Sequence, residues 1–295
     1  MLGPHERQLA DVRKIRASRS GRWIGLLSRE GVLAIHDTES GRWRAEISGV
    51  VSWAFSSDEE RVVLVGQGGA LRHHTVESGA RVDAPALPFP GFTPDLADVF
   101  ASPTDDTLLL VDCALAAHLV RDGEAHALDL ELDHTRITSD LKSGVQPTAC
   151  FRRDGRRVAV LAPDGAVSIF DTVTGARRTR IVGDDFVSSM AFTADGRLVC
   201  GMRHGDIVVH ERDGAAVLDA RTCHPDIVTA LVVSAKGLVI SASIDTRLRS
   251  FTIGERGPFE VVDVQGGIAR AFALDSVPIM LQEAPAPALP MAFDA

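Results

Sequence analysis

The sequence predicts an all-β protein, a seven-bladed β-propeller whose last blade is closed by strands from both termini. Three observations predict it. An apolar landmark recurs at Ala17, Phe55, Phe100, Phe151, Phe192, Val233 and Phe272, each followed by a polar turn. A second recurs at His36, His74, His118, Phe170, His210, Phe251 and Phe293, which is 18 or 19 residues after the first in six units and 21 after it in the seventh. The count from Phe293 through the C-terminus and on from the N-terminus to Ala17 is 19, matching the 19 from His36 to Phe55. A constant core repeated about every 40 residues is the mark of a closed repeat array, so the whole chain of 295 residues is expected to be one domain.

The units run at approximately 15–49, 50–90, 95–133, 147–183, 187–222, 227–265, and 268–295 together with 7–14. Each carries an apolar stretch, a polar turn, a second apolar stretch, another turn and an alternating segment, the pattern of consecutive hairpins. The first unit turns at Glu30-Gly31, the second at Gly68-Gly69 and the fifth at His204-Gly205. The fourth is the most regular. Phe151 leads into Arg153-Asp154-Gly155-Arg156, then Val158 to Leu161, the turn Pro163-Asp164-Gly165, Val167 to Phe170, and an outer strand at Arg177–Val182. Glycine suits such turns because tight hairpins require positive φ. In the seventh unit, inner strands are expected near Ile268–Leu274, Pro278–Gln282 and Leu289–Asp294, with the outer strand near Gln8–Arg13.

The sixth unit carries a family resemblance. His224 precedes Ile227 to Val233, and Leu238 to Phe251 contains Ser241, Asp245 and Phe251 at the spacing of a Ser, a turn Asp and an aromatic strand residue. Ile35-His36-Asp37, Ile169-Phe170-Asp171 and Ala292-Phe293-Asp294 stand where that family has Trp-Asp. The chain resembles the WD40-repeat propellers over essentially its whole length, as a divergent member without an authentic Trp-Asp pair. The resemblance implies a scaffold that presents proteins or peptides on its loop face. It also implies a structural hydrogen-bond network at His224, Ser241 and Asp245, rather than a nucleophilic triad of the same composition. No Gly-x-Ser-x-Gly elbow accompanies these residues.

Composition excludes several classes. A net charge of -9 argues against nucleic acid as a partner, because neutralising phosphates requires concentrated Lys and Arg. No apolar leader and no apolar run of membrane-spanning length is present, so a cytoplasmic protein with no membrane partner is expected. Three Lys against 28 Arg, with no Tyr and no Asn, point to a GC-rich bacterial genome. Cys113, Cys150, Cys200 and Cys223 lack C-x-x-C spacing, three of them sit in strand-like apolar runs where Cys behaves as a small hydrophobe, and no disulfide is indicated. The recurrent His36, His74, His118 and His210 fall on different units and read as packing residues, since a metal needs convergent ligands. Gly66-Gln-Gly-Gly69 precedes alternating residues and reads as a hairpin turn, and Asp105-Asp106 and Asp184-Asp185 read as solvated turns. No catalytic residue, metal ligand or cofactor is expected.

Two connections between units are long, and both flank the third unit. The first, Pro85–Pro94, contains four Pro and presents Phe89 and Phe92; the second, His134–Gln146, supplies Arg136 and Lys142 beside Ile137 and Leu141. Stiff loops bearing aromatic residues make economical binding anchors. The expected function is therefore a non-catalytic recognition subunit in a bacterial assembly. Its expected partner is a protein such as an ATPase, kinase, protease or defence effector, bound through Phe89, Phe92, Arg136 and Lys142. Two alternatives are a metal-assisted, lactonase-like propeller hydrolase and a small-molecule sensor with its ligand in the central channel.

Overall fold

The computed structural model describes residues 12–66, 70–83, 96–112, 116–135, 148–183, 185–212, 217–255 and 260–263. These form six four-stranded antiparallel sheets, each a meander in chain order. The first blade contains β1 (Val12–Ala17), β2 (Trp23–Ser28), β3 (Leu33–Asp37) and β4 (Arg42–Ile47). The second contains β5 (Val50–Phe55), β6 (Arg61–Gly66), β7 (Leu71–Thr75) and β8 (Arg81–Val82). The third contains β9 (Leu96–Ala101), β10 (Leu108–Asp112), β11 (Ala117–Arg121) and β12 (Glu124–Ala127). The fourth contains β13 (Ala149–Phe151), β14 (Arg157–Leu161), β15 (Val167–Asp171) and β16 (Arg177–Ile181). The fifth contains β17 (Val187–Phe192), β18 (Leu198–Met202), β19 (Asp206–His210) and β20 (Val217–Thr222). The sixth contains β21 (Val228–Val233), β22 (Leu238–Ser243), β23 (Arg247–Thr252) and β24 (Glu260–Asp263). Among the described residues there is no helix, and so none long and apolar enough to cross a membrane.

The blade count corrects the sequence expectation: the described residues form six blades, not seven with the last closed by strands from both termini. Part of the N-terminal segment assigned to an outer seventh strand belongs to the first blade. Val12 and Lys14 pair with Ser28 and Leu27 within one continuous inner strand, a bulge between them extending its reach. Landmark spacing carried the repeat into 268–295 on hydrophobic residues alone, although no Gly and four Pro lie between Phe272 and Phe293. The strands expected there, and residues 7–11, lie outside the described residues.

The core sits in the seams between neighbouring blades. Trp23, Leu27, Ile35 and Trp53 join the first blade to the second, and Val63, Val65, Val99 and Leu110 join the second to the third. Phe100, Leu109, Phe151 and Phe170 fill the third seam. Cys150, Ile169, Met190 and Cys200 fill the fourth, and Val199, Ile207, Leu231 and Phe251 the fifth. Alternation along each strand supplies this packing, because successive side chains face opposite seams.

Close approach explains two glycines. A Cβ on Gly25, in mid-strand of β2, would stand 2.7 Å from the Trp53 indole nitrogen, so the second blade's Trp lies flat on the first only because Gly25 has no side chain. Gly205, in the turn after β18 with φ 95°, accommodates the His224 carbonyl where a Cβ would overlap it.

Cys150, Cys200 and Cys223 are buried and form no disulfide among the described residues. Burial pushes the Cys200 and Cys223 thiols up to about 12, and the thiolate is the reactive form. The native protein should therefore leave all three unmodified by iodoacetamide at pH 8, whereas denaturant should expose them. Rapid native alkylation of Cys200, read by peptide mass spectrometry, would contradict the packing of the fourth seam.

Candidate functional site

The triad-like residues do come together. Asp245 lies in the β22–β23 turn, Ser241 on β22, and His224 in the segment entering β21. His224 Nδ1 is 3.0 Å from the Asp245 carboxylate and Nε2 is 2.8 Å from Ser241 Oγ. Strand register adds a fourth member that the sequence reading missed. Arg249 lies opposite Ser241 across the β22–β23 pair, and its guanidinium donates to Asp245 at 2.5 Å while also contacting His224 Nδ1. Counting outward from the Asp245 turn would have placed Arg249 there.

The surroundings decide what this arrangement can do. His224 and Ser241 are each 1% exposed, so no substrate reaches the hydroxyl. Burial, with the nearby Arg249 charge, holds His224 below the usual histidine range against the opposing pull of Asp245. Asp245 is raised by burial but lowered further by hydrogen bonds from Arg249 and His224, and its charge is engaged by Arg249. A nucleophilic triad requires an imidazole that accepts a proton and a carboxylate free to stabilise it. Here the carboxylate already balances a guanidinium, and the imidazole and hydroxyl are sealed from substrate. The arrangement ties the entrance of the sixth blade to its central hairpin.

A second polar cluster joins the inner strands of the first three blades. Asp98 on β9 accepts from Lys14 and Arg16 on β1 and from Ser52 on β5. Arg16 also donates to the carbonyls of Trp53 and Val99, and its guanidinium lies 5.4 Å from the Trp53 ring and 5.1 Å from the Phe100 ring. Arg16 and Asp98 are each 3% exposed. Burial would raise the Asp98 carboxyl, but the Arg16 and Lys14 charges outweigh it and hold the group below the usual carboxylate range.

The residues chosen as binding anchors, Phe89, Phe92, Arg136 and Lys142, lie outside the described residues. The described start of the second insertion is fastened to the fourth blade. Leu128 and Leu130 are buried in the third seam, and the Asp133 amide donates to Asp164 in the β14–β15 turn at 2.8 Å. Asp164, fully buried, also accepts from the Ala166 amide and from Arg180. Arg177 donates to the Asp129 carbonyl.

On the opposite face, where the inner strands end, all six blades contribute to one cavity of about 120 Å³. Its wall carries the first landmark of every blade: Ala17, Phe55, Phe100, Phe151, Phe192 and Val233. Arg16, Arg19 and Arg153 also line it, together with hydroxyl groups from the turns, and among the described residues no carboxylate does. The sequence marked these six apolar residues as repeat landmarks without showing that they face a common space. The recurrent histidines are not gathered there. His36, His74, His118 and His210 lie on the third strands of separate blades, and burial lowers His118 and His210.

No family model matches the sequence, and no curated protein is similar to it. Among solved structures the chain is similar to the β-propeller domain of Myceliophteria thermophila Cps50 (Swd1), with a TM-score of 0.64 at 12% identity, covering 85% of this chain and 86% of that one. This likeness is one of fold, and it agrees with the propeller architecture that the WD40 resemblance implied.

Proposed function

We propose that this propeller is a non-catalytic scaffold or recognition subunit that mediates protein–protein interaction within a bacterial cytoplasmic assembly. The observation that carries the reading is the sealed state of the His224, Ser241, Asp245 and Arg249 network, which turns this triad-like constellation into a fastening. Fold alone does not specify function. The propeller does, however, supply a rigid base whose blades are joined by connections of unequal length, a common arrangement for recognition. Fastening of residues 128–135 to Asp164 gives the second insertion a fixed root beside the fourth blade, which supports Arg136 and Lys142 as contact residues alongside Phe89 and Phe92. An ATPase, kinase, protease or defence effector is the class of partner we assign.

The test is affinity purification from the native host. Wild type is compared with a Phe89→Ala, Phe92→Ala, Arg136→Ala, Lys142→Ala variant of equal thermal stability. A protein retained by wild type and lost by the variant is the expected result. Equal recovery would reject the loop residues, and the absence of any partner with either protein would reject the scaffold reading.

A further inference from the structure

The geometry points to the channel mouth as a binding site for a small organic monoanion, a carboxylate carried on one aromatic ring or short branched chain. This site is separate from the loop face, and the inference does not rest on the scaffold reading. Its size sets the first limit. A cavity of about 120 Å³ is somewhat smaller than the roughly 150 Å³ apolar cavity known to accept benzene, so one ring or a comparable acyl body is what it holds. Phe55, Phe100, Phe151 and Phe192 supply aromatic wall from four successive blades. An aromatic ring placed among them gains edge and stacking contacts in addition to burial.

Charge sets the second limit. The chain as a whole carries -9, yet among the described residues the cavity lining holds three Arg and no carboxylate. Arg16 at its floor is balanced by Asp98, which Lys14 also contacts. Arg19 and Arg153 stand exposed at the mouth, on the first and fourth blades; neither joins an ion pair among the described residues, and one Arg19 nitrogen donates to the Pro103 carbonyl at 2.8 Å. Acidic residues of the same turns have partners of their own: Asp58 and Asp106 with Arg61, Asp154 with Arg152, Asp195 with Arg197, and Asp105 with the Thr107 amide. Glu59 is engaged by Ser18 and Ser20 on the rim. Counting the lining Arg16, Arg19 and Arg153 against Asp98 and Glu59, which contact the lining residues, leaves the mouth net positive. Guanidinium groups at the rim of an aromatic well favour a carboxylate whose apolar body points inward.

Titration calorimetry with the full chain tests this, using 3-phenylpropionate as the probe and 3-phenylpropanol as its uncharged counterpart. The acid is expected to bind at least about tenfold more tightly than the alcohol, since a charge-assisted hydrogen bond contributes about that much. An Arg19→Ala, Arg153→Ala variant should lose most of this difference while keeping its melting temperature, because both side chains are exposed. A Phe192→Leu variant should weaken acid and alcohol alike. Equal affinity for acid and alcohol, or no binding of either at 10 mM, on the order of the weakest useful affinity, would overturn the proposal. So would binding of a peptide ending in Phe with the free acid silent, which would instead make the mouth a chain-end receptor.

Discussion

Replacing Asp98 by alanine should destabilise the protein by about 3–5 kcal/mol, because it strands buried cations that the carboxylate now neutralises. Arg16 and Asp98 are both 3% exposed, and Lys14 approaches the same carboxylate from β1. The variant would be compared with wild type by urea denaturation, with the loss appearing as a lower midpoint at an unchanged slope. A second substitution isolates the mechanism. Adding Lys14→Met to Asp98→Ala removes one stranded charge and should recover part of the loss, so the two changes should be clearly non-additive. Strict additivity would mean that Asp98 acts by packing alone.

The same carboxylate fixes a pH dependence. Its folded value lies below the ordinary value of about 3.9, so between the two the unfolded chain takes up a proton that the folded chain does not. Its contribution is therefore complete above about pH 4 and is lost as pH falls through the folded value. Asp171, lowered to about 2 by its hydrogen bond from Arg178 against slight burial, acts with the same sign. In Asp98→Ala the acid limb of the stability curve should be shallower than in wild type.

The repeat was legible in the sequence because one physical constraint acts on every blade. Inner strands end where a polar turn begins, so Ala17, Phe55, Phe151, Phe192 and Val233 are the last residues of their strands, and Phe100 is the last but one of its own. The second landmark falls on the third strand of each of the six blades. In three of them, at His36, Phe170 and His210, it coincides with a bulge against the outer strand, a local departure that alternation does not signal. Blade number was less legible. Apolar residues at the right spacing are necessary for a blade, and they sufficed to suggest a seventh, but hairpin glycines and a consistent strand register are also required. Long-range chemistry was legible only where the chain is local. His224, Ser241 and Asp245 belong to one hairpin and its approach, whereas Arg16 and Asp98 are separated by 82 positions and meet only because inner strands of different blades converge. Arg249 lay within reach of sequence reasoning and was missed because register was not counted beyond the turn.

Breaking the sixth-blade network should be comparably costly, and its pH behaviour separates a fastening from a latent triad. Asp245→Ala leaves Arg249 with neither exposure nor counter-charge and removes a partner of His224, an expected loss of about 3–5 kcal/mol. His224 is held below the ordinary histidine value of about 6.5, first by burial and further by Arg249. As pH falls below that value the unfolded chain gains a proton that the folded chain refuses, so the contribution of His224 to stability is complete above about pH 6.5 and declines below it. Removing the guanidinium with Arg249→Met eliminates the repulsion and frees the Asp245 charge to face the imidazole. The His224 ring should then titrate at higher pH, and its share of the decline should shrink. Because burial also lowers His73, His118 and His210, the measurement must be residue-specific: the His224 ring resonance followed by NMR from pH 8 to pH 4. A wild-type His224 titrating above 6.5 would mean that the imidazole, not Arg249, is the principal counter-charge of Asp245. That would restore the acid–base character that the buried network otherwise denies it.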